Sequence, residues 1–293
     1  MKYSLVLSTI LYICGCFYTV FGACIIRANP KSKVNRLFLF LTSLLGIWSF
    51  SYSISNSAPT AEVSAFWRSF SVLGWGVFSS VLLHFVLVLT KTESRLSRRN
   101  ILTLLYLPAV INIILFGPFG YLVEKQYVMV QTDYGWLNMA PMYAAGIWLN
   151  SYYIVFSLVT LILLIRWWIK IESGTPAKRY ARNFLISITL LFLVEFFIEA
   201  LPDILEKKTF PKLPVIFLLT PTIMLFSVLR KFGLLTEIHR KTYSLSEIKK
   251  NLNADRLRLF PTATTIFLIG GCISFFLGYF GMKKIWKMNF YAP

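Results

Sequence analysis

Residues 67–99 read WRSFSVLGWGVFSSVLLHFVLVLTKTESRLSRR, a long apolar run that ends in a basic segment. Between Ser69 and Thr90 the run contains one ionisable side chain, His84. At about 1.5 Å per residue, a helix of this length crosses the ~30 Å hydrocarbon core of a bilayer. Four Lys and Arg residues follow between positions 91 and 99, and short basic loops of this kind stay on the cytoplasmic side. We therefore predict a membrane helix that runs from outside to inside.

The composition places the whole chain in the membrane class. Of its 293 residues, 57% are hydrophobic and only 14% are charged. The net charge of +18 would suggest nucleic-acid binding in a soluble chain. Here the Lys and Arg residues lie in short connections between apolar runs, where they determine topology and bind anionic lipid headgroups. The lipid bilayer is therefore the predicted partner, and nucleic acid is not.

The rest of the chain repeats the alternation of apolar runs and polar connections. We predict seven membrane spans over residues 4–26, 37–56, 69–90, 101–122, 145–168, 184–201 and 214–229, the last of them short and broken by Pro221. These runs predict an all-α integral membrane protein, a bundle of seven transmembrane helices with an eighth helix near the C terminus. The predicted domains are a seven-transmembrane domain over 1–236, a cytoplasmic basic linker over 237–260, and a further hydrophobic helix with a short tail over 261–293.

The charges predict which connections are cytoplasmic. The basic connections are assigned to the cytoplasm, namely residues 27–36, 91–99, 169–183 and 230–260. Residues 57–68 and 123–144 are predicted to be external, with Trp67 as an anchor at the membrane interface. With the N terminus outside, and with Arg166 counted with the connection 169–183, 21 of the 30 Lys and Arg residues lie on the cytoplasmic side. This bias predicts a multi-pass protein with an external N terminus.

The eighth apolar run, residues 262–280, does not fit this scheme as well. It would leave three lysines outside, at positions 283, 284 and 287. We expect either a segment that re-enters the membrane or a chain that continues into a longer protein. Gly270, Ser274 and Gly278 recur every four residues in this run, a small-residue pattern that lets helices approach closely. The pattern predicts helix packing or a homodimer there.

Acidic residues in the sixth span are the main candidates for a sensing site. Glu195, Glu199 and Asp203 recur every four residues and therefore share one helical face. Because ionisable groups are costly inside a membrane, they mark functional sites. One interpretation is a site for a cation, a proton or an amine ligand that opens outward. The alternative is that Glu199 and Asp203 lie at the interface, while Glu195 is protonated or hydrogen-bonded to a neighbouring helix.

Other candidates lie outside this face. His84 is a second ionisable residue within a span, and it is either a hydrogen-bonded packing residue or a ligand. Asp133 and Trp136 lie in the longest external connection, which is either a ligand surface or an aromatic loop in the headgroup region. The four cysteines, at positions 14, 16, 24 and 272, fall in apolar spans and are interpreted as packing residues. No metal-ligand spacing is present, so we expect neither a metal nor another cofactor.

Scattered residues add a resemblance to a known family. They are Asn29-Pro30, Arg36, Trp48, Trp67-Arg68, Leu83-His84-Phe85, and the run from Pro214 to Leu229 that continues into RKFGLL. Over residues 1–236 this layout resembles the N-terminal seven-transmembrane region of bacterial sensor histidine kinases, which is also found before diguanylate cyclase domains. The resemblance implies a receptor in the bacterial plasma membrane. It also implies that a signal passes through the seventh span to a cytoplasmic output domain or partner kinase.

The sequence lacks the catalytic motifs that such an output would need. His239, in TEIHRKT, lacks the residues usual around a phosphoacceptor, and no Gly-rich ATP site or Gly-Gly-Asp/Glu-Glu-Phe motif is present. We therefore expect no catalytic activity from this chain itself. A small multi-span transporter that uses the acidic face of the sixth span is one alternative, although no repeat relates the two halves. A membrane-embedded enzyme or assembly factor is another.

Overall fold

The computed structural model describes residues 3–90, 98–140, 144–195 and 214–238. The helices in these ranges are α1 (Ser4–Ala28), α2 (Lys33–Asn56), α3 (Ala61–Phe70), α4 (Val72–Leu89), α5 (Arg98–Phe116), α6 (Val123–Gln126), α7 (Ala144–Lys170), α8 (Pro176–Glu195), α9 (Pro214–Phe217) and α10 (Leu219–Ile238). Two short strands, β1 (Met129–Thr132) and β2 (Gly135–Asn138), lie between α6 and α7.

Helices long and apolar enough to cross a membrane make up most of the described chain. Five qualify among the described residues: Ser4–Ala28, Lys33–Asn56, Ala61–Leu89, Arg99–Phe116 and Ala145–Lys170. A shorter apolar helix covers Pro214–Arg230. The predicted helical membrane architecture is thus confirmed in outline. The number of seven spans stays a prediction.

Six of the helices form a closed ring. In cyclic order, α1 packs on α2, α2 on α4, α4 on α7, α7 on α8, α8 on α10, and α10 back on α1. Helix α5 packs on α4 from outside this ring. Because both α5 and α7 keep most of their apolar surface outside the protein core, those surfaces are available to lipid.

The predicted connection 57–68 is partly helical, because α3 begins within it at Ala61. Its position on the external side stays a prediction. The hydroxyl oxygen of Thr60 accepts a hydrogen bond from the backbone N–H of Val63 at 3.4 Å, and Glu62 lies in the first turn. Both features stabilise a helix N terminus. Trp67 is not an interface anchor, since it is 5% exposed and packs in a small core with Val63 and Trp136.

The described chain also departs from a purely α-helical fold. Within the predicted external connection 123–144, β1 and β2 pair in an antiparallel hairpin with Thr132 opposite Gly135. Gly135 has a φ of +107°, a conformation that L side chains rarely adopt. The Asn138 side-chain amide donates to the Gln126 carbonyl at 2.8 Å. The Tyr127 hydroxyl donates to the Phe116 carbonyl at 2.9 Å. The first bond attaches β2 to the end of α6, and the second attaches the residue after α6 to the end of α5.

Three other boundaries differ from the prediction. Helix α5 ends at Phe116 rather than at residue 122, because Gly117-Pro118 follows. Helix α8 begins at Pro176, inside the predicted loop 169–183, since proline suits the first position of a helix. The last span is interrupted between α9 and α10, with Pro221 in the first turn of α10, in agreement with the predicted break. Helix α10 then continues past Arg230, into the segment predicted to be a polar linker.

Candidate sensing site at the hairpin end

Buried polar side chains collect at one end of the bundle, where α1 begins and α2 ends. We call this region the hairpin end. It comprises strands β1 and β2 and seven buried polar residues. These residues are Ser4, Ser8, Ser53, Ser55, Asn56, Ser64 and Arg68. The opposite end carries the α1–α2 turn, the start of α5 and the α7–α8 turn, together with many of the basic residues. The two ends therefore differ strongly in charge.

Arg68 of α3 is at the centre of the hairpin end and is only 4% exposed. Its Nε donates to the Ser55 hydroxyl and its Nη2 donates to the Trp136 carbonyl, both at 3.2 Å. Its guanidinium carbon lies 3.9 Å from the centroid of the Tyr52 ring, a cation–π contact. Within the described part of the chain no carboxylate forms an ion pair with Arg68. Arg68 thus joins α2, α3 and β2, and no charge on a described residue compensates its own.

Asn56 joins α2 to the start of α1. Its side-chain amide donates to the Ser4 carbonyl at 3.1 Å and to the Ser8 hydroxyl at 3.3 Å. In return the Ser4 hydroxyl donates to the Asn56 carbonyl at 2.9 Å, and Ser53 donates to the Ser8 carbonyl at 2.7 Å. These bonds cross between the helices, so the end of α2 is attached to the start of α1.

The hairpin packs directly against the residues around Arg68 and Asn56. The Trp136 indole N–H donates to the Ala58 carbonyl at 2.7 Å. The backbone N–H of Tyr3 donates to the Asp133 carbonyl at 2.9 Å, and the rings of Tyr3 and Tyr134 stack with centroids 5.6 Å apart. The hairpin therefore contacts the first residues of α1 as well as the α2–α3 connection.

The predicted site residues are distributed unevenly around this region. Asp133 and Trp136 both belong to the hairpin, but Trp136 is buried in the protein and Asp133 is exposed at the turn. His84 is half-buried in α4, away from the hairpin end, with its Nδ1 at 2.8 Å from the Tyr106 hydroxyl. The structure therefore does not bring His84 together with the hairpin residues.

The acidic face and the small-residue pattern stay predictions. Glu195 is the last residue of α8, and its side chain lies outside the described part. Glu199 and Asp203 are also outside the described residues, as are Gly270, Ser274 and Gly278.

Sequence reasoning did not single out Arg68 or Asn56 as site residues. Arg68 was assigned to an external connection, where a charge needs no explanation. The N-terminal signals at Thr60 and Glu62 would have placed Arg68 two turns inside a helix. A buried arginine in such a position is expected to be functional or strongly bonded.

Helix α1 also contacts the last helices of the described chain. Tyr18 is fully buried, and its hydroxyl donates to the Val215 carbonyl of α9. One turn further, the rings of Phe21 and Phe226 stack with centroids 4.8 Å apart. Val215 lies just before the interruption between α9 and α10. Helix α1 is thus bonded both to the hairpin end and to the segment that leads out of the bundle.

Comparison with known families identifies this architecture. A family model described as the N-terminal 7TM region of histidine kinase matches residues 4–235. The chain belongs to this family. Neither a curated protein nor a solved structure matches it. As a histidine kinase 7TM region, it is a multi-pass membrane sensor region, and this kind of region is not itself catalytic.

Proposed function

We propose that this 7TM region receives a signal at the hairpin end and transmits it through α1 to α10, which drives a cytoplasmic kinase. The observation that carries the proposal is the double attachment of α1. Its first turns are hydrogen-bonded to Asn56 and the hairpin, and its middle is bonded to Val215. A helix attached at both places is a direct mechanical connection between them.

The proposed orientation places the hairpin end outside the cell. The basic residues around the α1–α2 turn and the α7–α8 turn belong to the opposite end, and such residues favour the cytoplasm. Helix α10 runs toward the same basic end, where Arg230 lies. The N terminus is then external, and α10 leads into the cytoplasm toward an output domain.

Transmission requires two packings of the bundle whose populations the signal shifts. The interruption at Leu218 is a suitable place for such a change, because Pro221 in the first turn of α10 has no N–H to donate to a backbone carbonyl. Leu218 itself still donates to the Pro214 carbonyl and accepts from the Thr222 N–H. We propose that Tyr18 holds α9 on one side of this interruption. A displacement of α1 would then change the direction of α10.

A double-variant experiment tests the proposal. The full chain is joined to the cytoplasmic domain of a histidine kinase, and autophosphorylation is measured in proteoliposomes. Arg68→Lys, which perturbs the hairpin end, is expected to change the autophosphorylation rate. In a Tyr18→Phe background that change is expected to be about 2- to 10-fold smaller, because one interhelical hydrogen bond of about 0.5–1.5 kcal/mol is lost.

Tyr153→Phe is the matched control for this experiment. The Tyr153 hydroxyl also donates to a backbone carbonyl of another helix, that of Trp75 at 3.0 Å, but this bond joins α7 to α4. The effect of Arg68→Lys is therefore expected to persist in the Tyr153→Phe background. An equal reduction by both tyrosine variants would contradict transmission through α1.

A further inference from the structure

Three hydrogen-bond donors, on Trp48, Tyr52 and Arg68, have no acceptor within the described part of the chain. Arg68 belongs to the hairpin end, and the other two residues lie on α2 next to it. The Trp48 indole N–H is buried without a partner. No hydrogen bond is made by the Tyr52 hydroxyl, nor by Nη1 of Arg68, whose bonds use Nε and Nη2. Buried donors are normally satisfied, so the Trp48 N–H indicates a missing acceptor. The Tyr52 hydroxyl and the Arg68 Nη1 are further donors, next to Trp48, that an acceptor at this place could use.

These three side chains are neighbours. Trp48 and Tyr52 are one turn apart on the same face of α2, and their rings meet edge to face with centroids 6.0 Å apart. The Arg68 guanidinium lies over the Tyr52 ring. The bonds from Ser55 and Trp136 hold the guanidinium in one orientation, so its free edge is pre-organised.

The charge of the region limits the class of ligand. Arg68 is the only charged side chain that is buried among the described residues, and it forms no ion pair there. A monoanion would compensate this charge. A phosphate monoester carries about −1.5 to −2 charges at neutral pH and would leave excess negative charge in a region of low dielectric constant.

We propose that the hairpin end binds a small organic carboxylate. The Arg68 Nη1 and the Tyr52 hydroxyl donate to the carboxylate oxygens, and the Trp48 indole N–H provides the third donor. The carboxylate is the chemical signal that the sensor receives, so this inference rests on the proposed function. Occupancy strengthens the attachment of α3 to α2, because the ligand contacts side chains from both helices.

Calorimetric titration of the full chain in phosphatidylcholine nanodiscs tests the binding. Acetate, butyrate and benzoate are compared with the corresponding neutral amides and with inorganic phosphate. We expect saturable binding of at least one carboxylate, no binding of its amide, and phosphate binding weaker by about tenfold or more. If no carboxylate binds, or if an amide or phosphate binds as tightly, the inference is wrong.

Variants assign the binding to this site. Tyr52→Phe keeps the ring beneath the guanidinium and removes the hydroxyl, so it is expected to weaken carboxylate binding about tenfold. Arg68→Gln is expected to abolish it. Tyr121→Phe, at a strongly exposed tyrosine beyond the end of α5, is expected to bind like the unmodified chain. Unchanged affinity in Tyr52→Phe would overturn the assignment.

The binding assay is independent of any output domain. Carboxylate binding that leaves autophosphorylation of the fused kinase unchanged would retain this inference and refute the proposed function. Absence of binding, together with intact coupling between Arg68 and Tyr18 in the fusion, would refute this inference and retain the proposed function.

Discussion

Replacing Arg68 with alanine is expected to release the hairpin from the bundle. The substitution removes the bonds to Ser55 and to the Trp136 carbonyl together with the contact on Tyr52. Two hydrogen bonds from a charged group contribute about 3 kcal/mol or more in a buried site. At about 1.4 kcal/mol per factor of ten, backbone amides of residues 129–138 should exchange about 100-fold faster with deuterium.

Hydrogen exchange measured by mass spectrometry separates local release from general unfolding. In Arg68→Ala, exchange in α7 is expected to stay as in the unmodified chain, because the hydrogen bonds and the cation–π contact of Arg68 go to α2 and β2. Arg99→Ala changes an exposed arginine at the opposite end and should leave the hairpin protected. Unaltered protection of residues 129–138 in Arg68→Ala would show that Arg68 does not hold the hairpin.

Gly135→Ala is also expected to release the hairpin from the bundle, in this case through a steric clash. A methyl group on Gly135 would lie 2.6 Å from the backbone carbonyl oxygen of Asn56 and would overlap the Asn56 side-chain amide. The φ of +107° adds strain of about 1–2 kcal/mol for any residue with a Cβ. Neither the Asn56 backbone nor its buried side chain can move aside at low cost, so the hairpin is expected to separate from the end of α2.

Cleavage by chymotrypsin at Tyr134 and Trp136 reports this movement. In Gly135→Ala the rate of cleavage is expected to rise by about tenfold or more, since Trp136 becomes accessible. Gly174→Ala is the matched control, because Gly174 also has a positive φ, +85°, but a Cβ there meets nothing within 4 Å. Because Gly174 lies in the α7–α8 turn at the opposite end, Gly174→Ala is expected to leave cleavage at Tyr134 and Trp136 unchanged. Equal cleavage of the two variants would contradict the release of the hairpin by Gly135→Ala.

The helical spans were predictable from the sequence because their signal is long and redundant. A run such as residues 69–90 contains so many apolar side chains that no local feature changes the interpretation. The basic residues at the α1–α2 turn were equally informative. There, Asn29 accepts hydrogen bonds from the backbone N–H groups of Lys31 and Ser32, so the predicted helix stop at Asn29-Pro30 has a physical basis.

The hairpin end was not predictable in the same way. Each of its polar residues is ordinary in isolation, and their meaning comes from contacts between residues far apart in the sequence. Arg68 and Trp136 are one example, and Ser4 and Asn56 are another. The hairpin itself has strands of only four residues, too short for a period of two to be distinguished from a loop.

A hairpin that receives an external signal must lie on the external side of the membrane. A cysteine is placed either at the hairpin turn, as Asp133→Cys, or at the α1–α2 turn, as Lys31→Cys, in a chain whose native cysteines are replaced. Both positions are exposed. In intact cells, a membrane-impermeant maleimide is expected to label Asp133→Cys but to label Lys31→Cys only after permeabilisation. The reverse pattern would place the hairpin in the cytoplasm and contradict its role in receiving an external signal.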